Sequence, residues 1–412
     1  MATVRPFKAI RPTPALAAQV AALPYDVMNS AEAREMVVGN EHSFLHVDKA
    51  EIDLPEGTDL YAPEVYAKAK ANLDKMIADG VLNMEEKPML YLYRLTMDGR
   101  AQTGLVTCTS IDEYLDNTIK KHELTLAAKE QDRIRHVEAC NANTGPIYLA
   151  YRARAEIDAL VADWCAGHTA VYDFVAEDGI GHAVWVVDCD ATIVKLQTAF
   201  AAIPALYIAD GHHRNASAVK VGLKKREENP GYAADAEFNY YLSVVFPSNQ
   251  LFIMDYNRLV RDLNGLTADA FLAKTAEKFD IADSATGKPQ TRHSFGLYIN
   301  GAWKLLTLKQ GVANETDPVA SLDVSILQDN VLAPLLGIDD PRTNKRIDFV
   351  GGMRGLGELK KRVDSGEMAL AFAMFPTSMD ELLRIADAGA IMPPKSTWFE
   401  PKLRSGLFIH EL

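Results

Sequence analysis

The stretch "LYIADGHHRNASAV" (residues 206–219) decides how the chain folds around its Asp-Gly-His-His-Arg motif. An apolar run ends at Asp210-Gly211, and a helix-forming run opens at His212. A buried strand that gives way to a helix through a glycine needs a tight turn, and only glycine adopts the required backbone angles cheaply. Outward from this point the same alternation continues. "GHAVWVVDCD" predicts a strand and "ATIVKLQTAFAA" a helix before it, and "NYYLSVVF" and "LFIMDYNRLV" predict a further strand pair after it. The class is therefore α+β or mixed α/β.

Towards the N-terminus, "NSAEAREMVVGN" (29–40) predicts a short helix capped by Asn29 or Ser30 and stopped by Gly39. Residues 62–80 place Val65, Leu73, Met76 and Ile77 at helical spacing. "MLYLYRLT" and "AQTGLVTCTS" flank Asp98-Gly99, a hairpin signal. "LTLAAKEQDRIRHVEAC" predicts a helix and "PIYLAYR" a strand. In "NEHSFLHVD", strand alternation would set Ser43 and Leu45 opposite Phe44 and His46, with His46 in a structural role. The polar text of 276–293 suggests a soft boundary, giving domains 1–285 and 286–412; a single large domain with insertions is the alternative. Beyond it, Asn300-Gly301 marks a second hairpin.

The 412 residues are 48% hydrophobic and 24% charged, as in soluble globular proteins. A net charge of −13 argues against broad nucleic-acid binding, though not against a local basic pocket for a small anion. The four cysteines form no CxxC pair, so a structural zinc site is not expected. No run approaches the roughly 18 apolar residues a membrane span needs, and the proline-broken N-terminus offers no secretory core, so a cytoplasmic location is expected.

The Asp-Gly-His-His-Arg run has the chemistry of a phosphate cradle. First-turn N–H groups have no partners within the helix, and the helix dipole favours an anion there. Gly211 permits close approach, Arg214 adds a planar fork, and His212 and His213 add donors. An Asp cap followed by surface histidines is the plainer alternative. In "KKHELTLAAKEQDRIRH", HExxH fails at Leu126, and Lys129, Arg133 and His136 share one helix face, basic and either solvated or phosphate-facing; Asp132 could hold Arg133. Asp26, after a proline, is placed for a cleft as a general base or magnesium ligand, or simply forms a turn. In "MPPKSTWFEPK", Lys395, Ser396, Thr397 and Lys402 are placed to contact phosphate, and packing alone would also account for Trp398 and Phe399.

"DGHHR" between strand and helix resembles the signature of the ParB/sulfiredoxin-like superfamily, where the motif holds nucleotide phosphates. Its two-histidine branch resembles the free-serine kinases, which phosphorylate L-serine with ADP or ATP. The whole chain resembles the DUF1015 family in "LPYDVMNS", "NEHSFLHVD", "HELTLAAKEQDR", "NANTGPIY", "ALYIADGHHR" and "MPPKSTWFEPKLRSGL", from residue 23 to 407. The resemblance implies a ParB/sulfiredoxin-like core with insertions over 1–285, and a smaller C-terminal α+β region, 286–412, that contributes "MPPKSTWFEPK". It implies a kinase acting on a small hydroxylated metabolite, L-serine above all, without nucleic acid or membrane partners and compatible with a homo-oligomer. Asp210, Gly211, His212, His213 and Arg214, with Lys395, Ser396 and Thr397, would hold ATP or ADP. Mg2+ would bridge phosphate oxygens at Asp210. Lys129 and Arg133 would screen charge, His122 and Glu123 would lie near the substrate, and Asp26 would be the base, with Glu123 and Asp210 as rivals. A ParB-like nucleotide-dependent regulator and a metal-dependent hydrolase or phosphatase using the histidine pair remain the other readings. Relatives are expected to carry His-Arg where this chain has Asn257-Arg258, which puts activity in question.

Overall fold

At Asp98-Gly99 the backbone takes φ values of 51° and 77°, the two left-handed residues of a tight hairpin turn. That turn joins the longest strand, of 11 residues, to its 8-residue hairpin partner in the first of two compact units in the computed structural model, which describes all 412 residues. Unit 1 is Met1–Leu251 with Pro401–Leu412, and unit 2 is Phe252–Glu400.

In chain order unit 1 contains α1 (Pro63–Ala78), β1 (Leu90–Met97), β2 (Arg100–Ser110), β3 (Ile119–Lys120), α2 (Ala127–Cys140), β4 (Ile147–Tyr151), α3 (Ala155–Gly167), β5 (Tyr172–Val175), β6 (Gly181–Val187), α4 (Asp190–Ala201), β7 (Leu206–Asp210), α5 (His212–Glu228) and β8 (Tyr240–Pro247). The eight strands form one sheet in the order β3-β7-β4-β8-β2-β1-β6-β5. Pairing is antiparallel except for β3–β7 and β4–β8. One sheet face is apolar: Leu92, Leu105, Leu149 and Ile208 pack with Trp164 of α3 and with Leu196 and Phe200 of α4. A second core joins the N-terminal segments to α1, through Phe44, Leu45, Val65, Leu73 and Ile409.

The alternation expected for "NEHSFLHVD" does not hold. Phe44, Leu45 and Val47 are all buried, which no two-sided strand allows, and Leu45–Asp48 is a helical turn. His46 is structural, with Nδ1 2.8 Å from Asp53 Oδ1. The helix from Ser30 to Met36 is capped by the Asn29 side chain with Glu32 closing a reciprocal capping box. Helix α3 carries no signal that the sequence reading used.

Unit 2 holds β9 (Tyr256–Val260), β10 (Phe279–Asp283), β11 (Ser294–Ile299), β12 (Ala302–Leu308), β13 (Ile347–Gly351), α6 (Gly355–Asp364) and β14 (Leu370–Ala373). Its antiparallel sheet runs β10-β12-β11-β14-β9-β13. The "MDYNRLV" strand thus pairs with β13 and β14, not with "NYYLSVVF". Asn300-Gly301 turns between β11 and β12 with φ of 52° and 77°. The polar stretch around residue 285 is the connection between two strands of this sheet, polar because it is largely exposed.

Helix α5 lies so close to its neighbours that Gly222 has no room for a side chain. A Cβ there would sit 2.9 Å from Ile111 Cδ1 and run into the Phe238 carbonyl. Gly222→Val is expected to lower the urea midpoint of the transition reporting on unit 1 by an amount equivalent to about 1–3 kcal/mol, the cost of overpacking. An unchanged midpoint would contradict this packing.

Candidate phosphate-binding site

The ladder between β7 and β4 shifts register between Ile208 and Asp210, so the end of β7 is bulged where it leaves the sheet. Gly211 follows at φ 90°, and a Cβ on it would lie 3.2 Å from Arg214 Nε and Nη2. The Arg214 guanidinium therefore folds back over the turn. Its Nη1 donates to the Pro146 carbonyl at 2.7 Å, and Nη2 lies 3.7 Å from Asp210 Oδ2. Lys402, from the C-terminal segment of the same unit, donates from Nζ to Asp210 Oδ2 at 3.3 Å. Burial alone would raise the Asp210 carboxyl; Lys402 and Arg214 outweigh it and hold the group below its ordinary value. The guanidinium Nε is buried without a partner.

The two histidines do different things. His212 is buried, meets the His122 ring edge-on at 4.5 Å between centroids, and has Nδ1 3.6 Å from Glu123 Oε2. Its Nε2 is buried without a partner. Burial pushes His122 down to about 4, which the Asp210 charge only partly offsets, and burial with the neighbouring imidazoles holds His212 well below the ordinary histidine value. Both rings are neutral at pH 7. His213 Nε2 accepts from the Leu126 backbone N–H at 3.0 Å, tying the segment before α2 to α5. Burial and Lys129 lower its pKa, with Asp26 opposing them.

Helix α2 supplies a further cation. Arg133 stacks over Tyr25 with Cζ 3.9 Å from the ring centroid, and its Nε donates to Asp132 Oδ2 at 2.9 Å. Tyr66 donates to the other oxygen of Asp132 at 2.9 Å. Arg133, Arg214, Tyr25, Asp48 and Thr144 line a cavity of about 30 Å³. Thr144 Oγ1 donates to Asp48 Oδ1 at 2.9 Å, and a Cβ on Gly145 would lie 3.6 Å from Arg214 Nη1. The field of Asp26 raises Arg214 after burial has lowered it, so this exposed carboxylate acts on the Arg214 cation.

The structure thus gathers Asp210, Gly211, His212, His213, Arg214, His122 and Glu123 at one turn, with Asp26 and Lys129 acting on the same groups and Arg133 lining a cavity with Arg214. The uniform basic face expected on α2 is absent. Lys129 is exposed, but His136 is buried, with Nε2 3.1 Å from the Val47 carbonyl and its pKa lowered by burial. Lys395, Ser396 and Thr397 belong to unit 2, where Ser396 Oγ donates to Pro393 O at 2.6 Å and Lys395 Nζ lies 5.4 Å from the Tyr256 ring centroid. The magnesium expected at Asp210 does not fit: two cations already neutralise that carboxylate, and no three His, Cys, Asp or Glu side chains cluster as a metal site. Sequence reasoning passed over Tyr25, Asp48 and Thr144; the "NTGP" turn before β4 was the available signal for Thr144.

The model of the family described as a protein of unknown function (DUF1015) matches residues 4–325. The chain belongs to this family. The matched span covers nearly all of unit 1 and part of unit 2 of this DUF1015 protein. No curated protein matches it. Solved structures it is similar to include a conserved hypothetical protein from Pyrococcus furiosus, at 13% identity and TM-score 0.35, covering 74% of this chain and 94% of that one. A free serine kinase in complex with AMP is similar at 13% identity and TM-score 0.36, covering 73% and 92%. SbnI with a C-terminal truncation, from Staphylococcus aureus, is similar at 11% identity and TM-score 0.38, covering 73% and 85%. TM-scores this low assign no function.

The buried neutral histidines set an acid limit. A group whose folded pKa lies below its unfolded value leaves stability intact above the unfolded value, near 6.5, and removes it as pH falls towards the folded value. For His122 that window runs from about 6.5 to about 4 and is worth on the order of 3 kcal/mol. His212, His136 and His182 act in the same direction. His122→Phe is expected to flatten the fall in urea midpoint between pH 7 and 4.5. An unchanged slope would contradict a buried neutral imidazole.

Proposed function

We propose that this DUF1015 protein transfers a phosphoryl group from ATP or ADP to the hydroxyl of a small metabolite, with free L-serine as acceptor and O-phosphoserine as product. Unit 1 serves as a ParB/sulfiredoxin-like nucleotide-binding core elaborated by insertions. The observation that carries the reading is the start of α5. There Gly211 opens the backbone, the first-turn N–H groups lack helical partners, and Arg214 and Lys402 converge on Asp210. Phosphoryl transfer asks chiefly for positioning and charge neutralisation, which such a turn supplies.

In this reading the donor phosphates lie against the Gly211–Arg214 turn. Magnesium arrives with the nucleotide as part of the substrate. His212, neutral, offers Nε2 to a phosphate oxygen or substrate hydroxyl, which supports a binding role for an atom otherwise orphaned. The acceptor oxygen attacks the terminal phosphorus, an O–P bond forms, and the bond to the departing nucleotide oxygen breaks. The hydroxyl proton passes to Asp26 or Glu123, both exposed carboxylates beside the histidine and arginine cluster. Lys129 and Arg133 neutralise charge as it shifts. The His-Arg pair expected of relatives is Asn257-Arg258 here and takes no part. No phosphate contact is assigned to Lys395, Ser396 or Thr397.

Incubating the full chain with magnesium, ATP or ADP, and L-serine should yield serine-dependent O-phosphoserine, followed by phosphorus NMR. Arg214→Ala should lower kcat/KM about 100-fold or more, as expected for loss of a charge-neutralising donor. Nucleotide consumption independent of serine would overturn the acceptor, and no consumption at all would overturn the reading.

A further inference from the structure

Unit 2 contains a cavity of about 310 Å³, against about 30 Å³ for the one lined by Arg133 and Arg214 and about 100 Å³ for a second in unit 1 beside Tyr151. Leu332, Ile347 and Phe349 wall it, and Pro393 and Pro394 close one side. Arg258 of β9 lines it and is only 4% exposed. A buried guanidinium is normally paired, because an isolated charge out of water is costly. Arg258 has no carboxylate. Its nitrogens donate to the Tyr256 carbonyl and, at 3.0 Å, to the Lys395 carbonyl, and its Cζ lies 5.5 Å from the Phe349 ring centroid. Burial lowers its pKa to about 10, so it is still a cation at pH 7. Two backbone carbonyls and a ring face leave the unit charge uncancelled.

The other charged groups at the cavity do not cancel it. Arg342 is bonded through Nε and Nη2 to Asp340 at 2.9 and 2.8 Å, which neutralises both. Asp339 is exposed to solvent and makes no bond to Arg258. A polyanion entering here would meet Asp339, whereas a single negative charge matches the one uncompensated cation. Val324, Leu332, Ile347, Phe349 and three prolines make up most of the wall, with Gln328 the one neutral polar side chain, so the rest of the ligand is largely apolar.

We infer that unit 2 is a binding site for a small monocarboxylate with a branched or cyclic apolar body, its carboxylate seated on the Arg258 guanidinium. The planar fork suits a carboxylate's two oxygens. The cavity has the size of a small-ligand site and the usual make-up of one, an apolar lining with few polar groups. Pro393 and Pro394, in the distinctive "MPPKSTWFEPK" stretch, find a purpose as a rigid wall of this pocket. The inference is independent of the phosphoryl-transfer reading, since every group it uses lies within Phe252–Glu400.

The test is calorimetric titration of the full chain at pH 7 with 4-methylpentanoate, its neutral isostere 4-methylpentanamide, and inorganic phosphate. The carboxylate should bind at least tenfold more tightly than the amide, and phosphate should not compete with it. Arg258→Met should lose the carboxylate's advantage. Because removing a buried cation also bears on folding, Val324→Phe, which takes up cavity volume and leaves the Arg258 guanidinium in place, should weaken the carboxylate at least tenfold with the melting transition retained. Equal binding of acid and amide, displacement by phosphate, full affinity in a folded Val324→Phe protein, or no carboxylate binding at millimolar concentration would each overturn the inference.

Discussion

The carboxylate of Asp210 is the constraint on which unit 1 turns. It sits at the end of a buried strand, where burial penalises its charge, and it is stabilised only because two cations reach it. Arg214 comes from the helix that follows. Lys402 comes from the C-terminal segment, far away in sequence, and that segment must fold back onto unit 1 to deliver it. The segment is built for this. Leu403, Leu407, Phe408 and Ile409 are buried, Ser405 pairs with Ala22, Ile409 pairs with Ile10, and Arg404 reaches Asp178 and His182. An electrostatic need at one turn and an apolar need along the tail are met by the same twelve residues, Pro401–Leu412.

The two neutral histidines follow from the same burial. With the His122 and His212 rings buried and packed edge to face, neither takes up a second proton at neutral pH, so the cationic character of the site rests on Arg214, Lys402 and Arg133. The charge of the two arginines does not depend on pH in any physiological range. A site that must neutralise phosphate gains from that division of labour, and the imidazoles are left to supply direction rather than charge.

Much of this was legible in the sequence because it is local. Glycine pairs with Asp98 and Asn300 fix two hairpins, the Asn29 cap fixes a helix start, and the strand, glycine and helix of 206–228 follow from composition and period alone. What escaped is non-local. The pairing of β9 depends on strands some 90 and 110 residues later, which no window along the chain reveals. The role of Lys402 depends on the tail's return. "FLHVD" reads as alternating, yet Phe44, Leu45 and Val47 are all buried and Leu45–Asp48 is a helical turn, set by packing against distant segments. Asp210 looked like a metal ligand because the sequence shows the carboxylate and hides the cations that occupy it.

The central claim is that the start of α5 receives phosphate. The most direct measurement is calorimetric titration of the full chain with ADP and with adenosine, in the wild type and in Lys402→Met. The account predicts that ADP binds at least tenfold more tightly than adenosine and that most of this difference disappears in the variant. Equal affinity for the two ligands in the wild type, or no ADP binding at millimolar concentration, would contradict it.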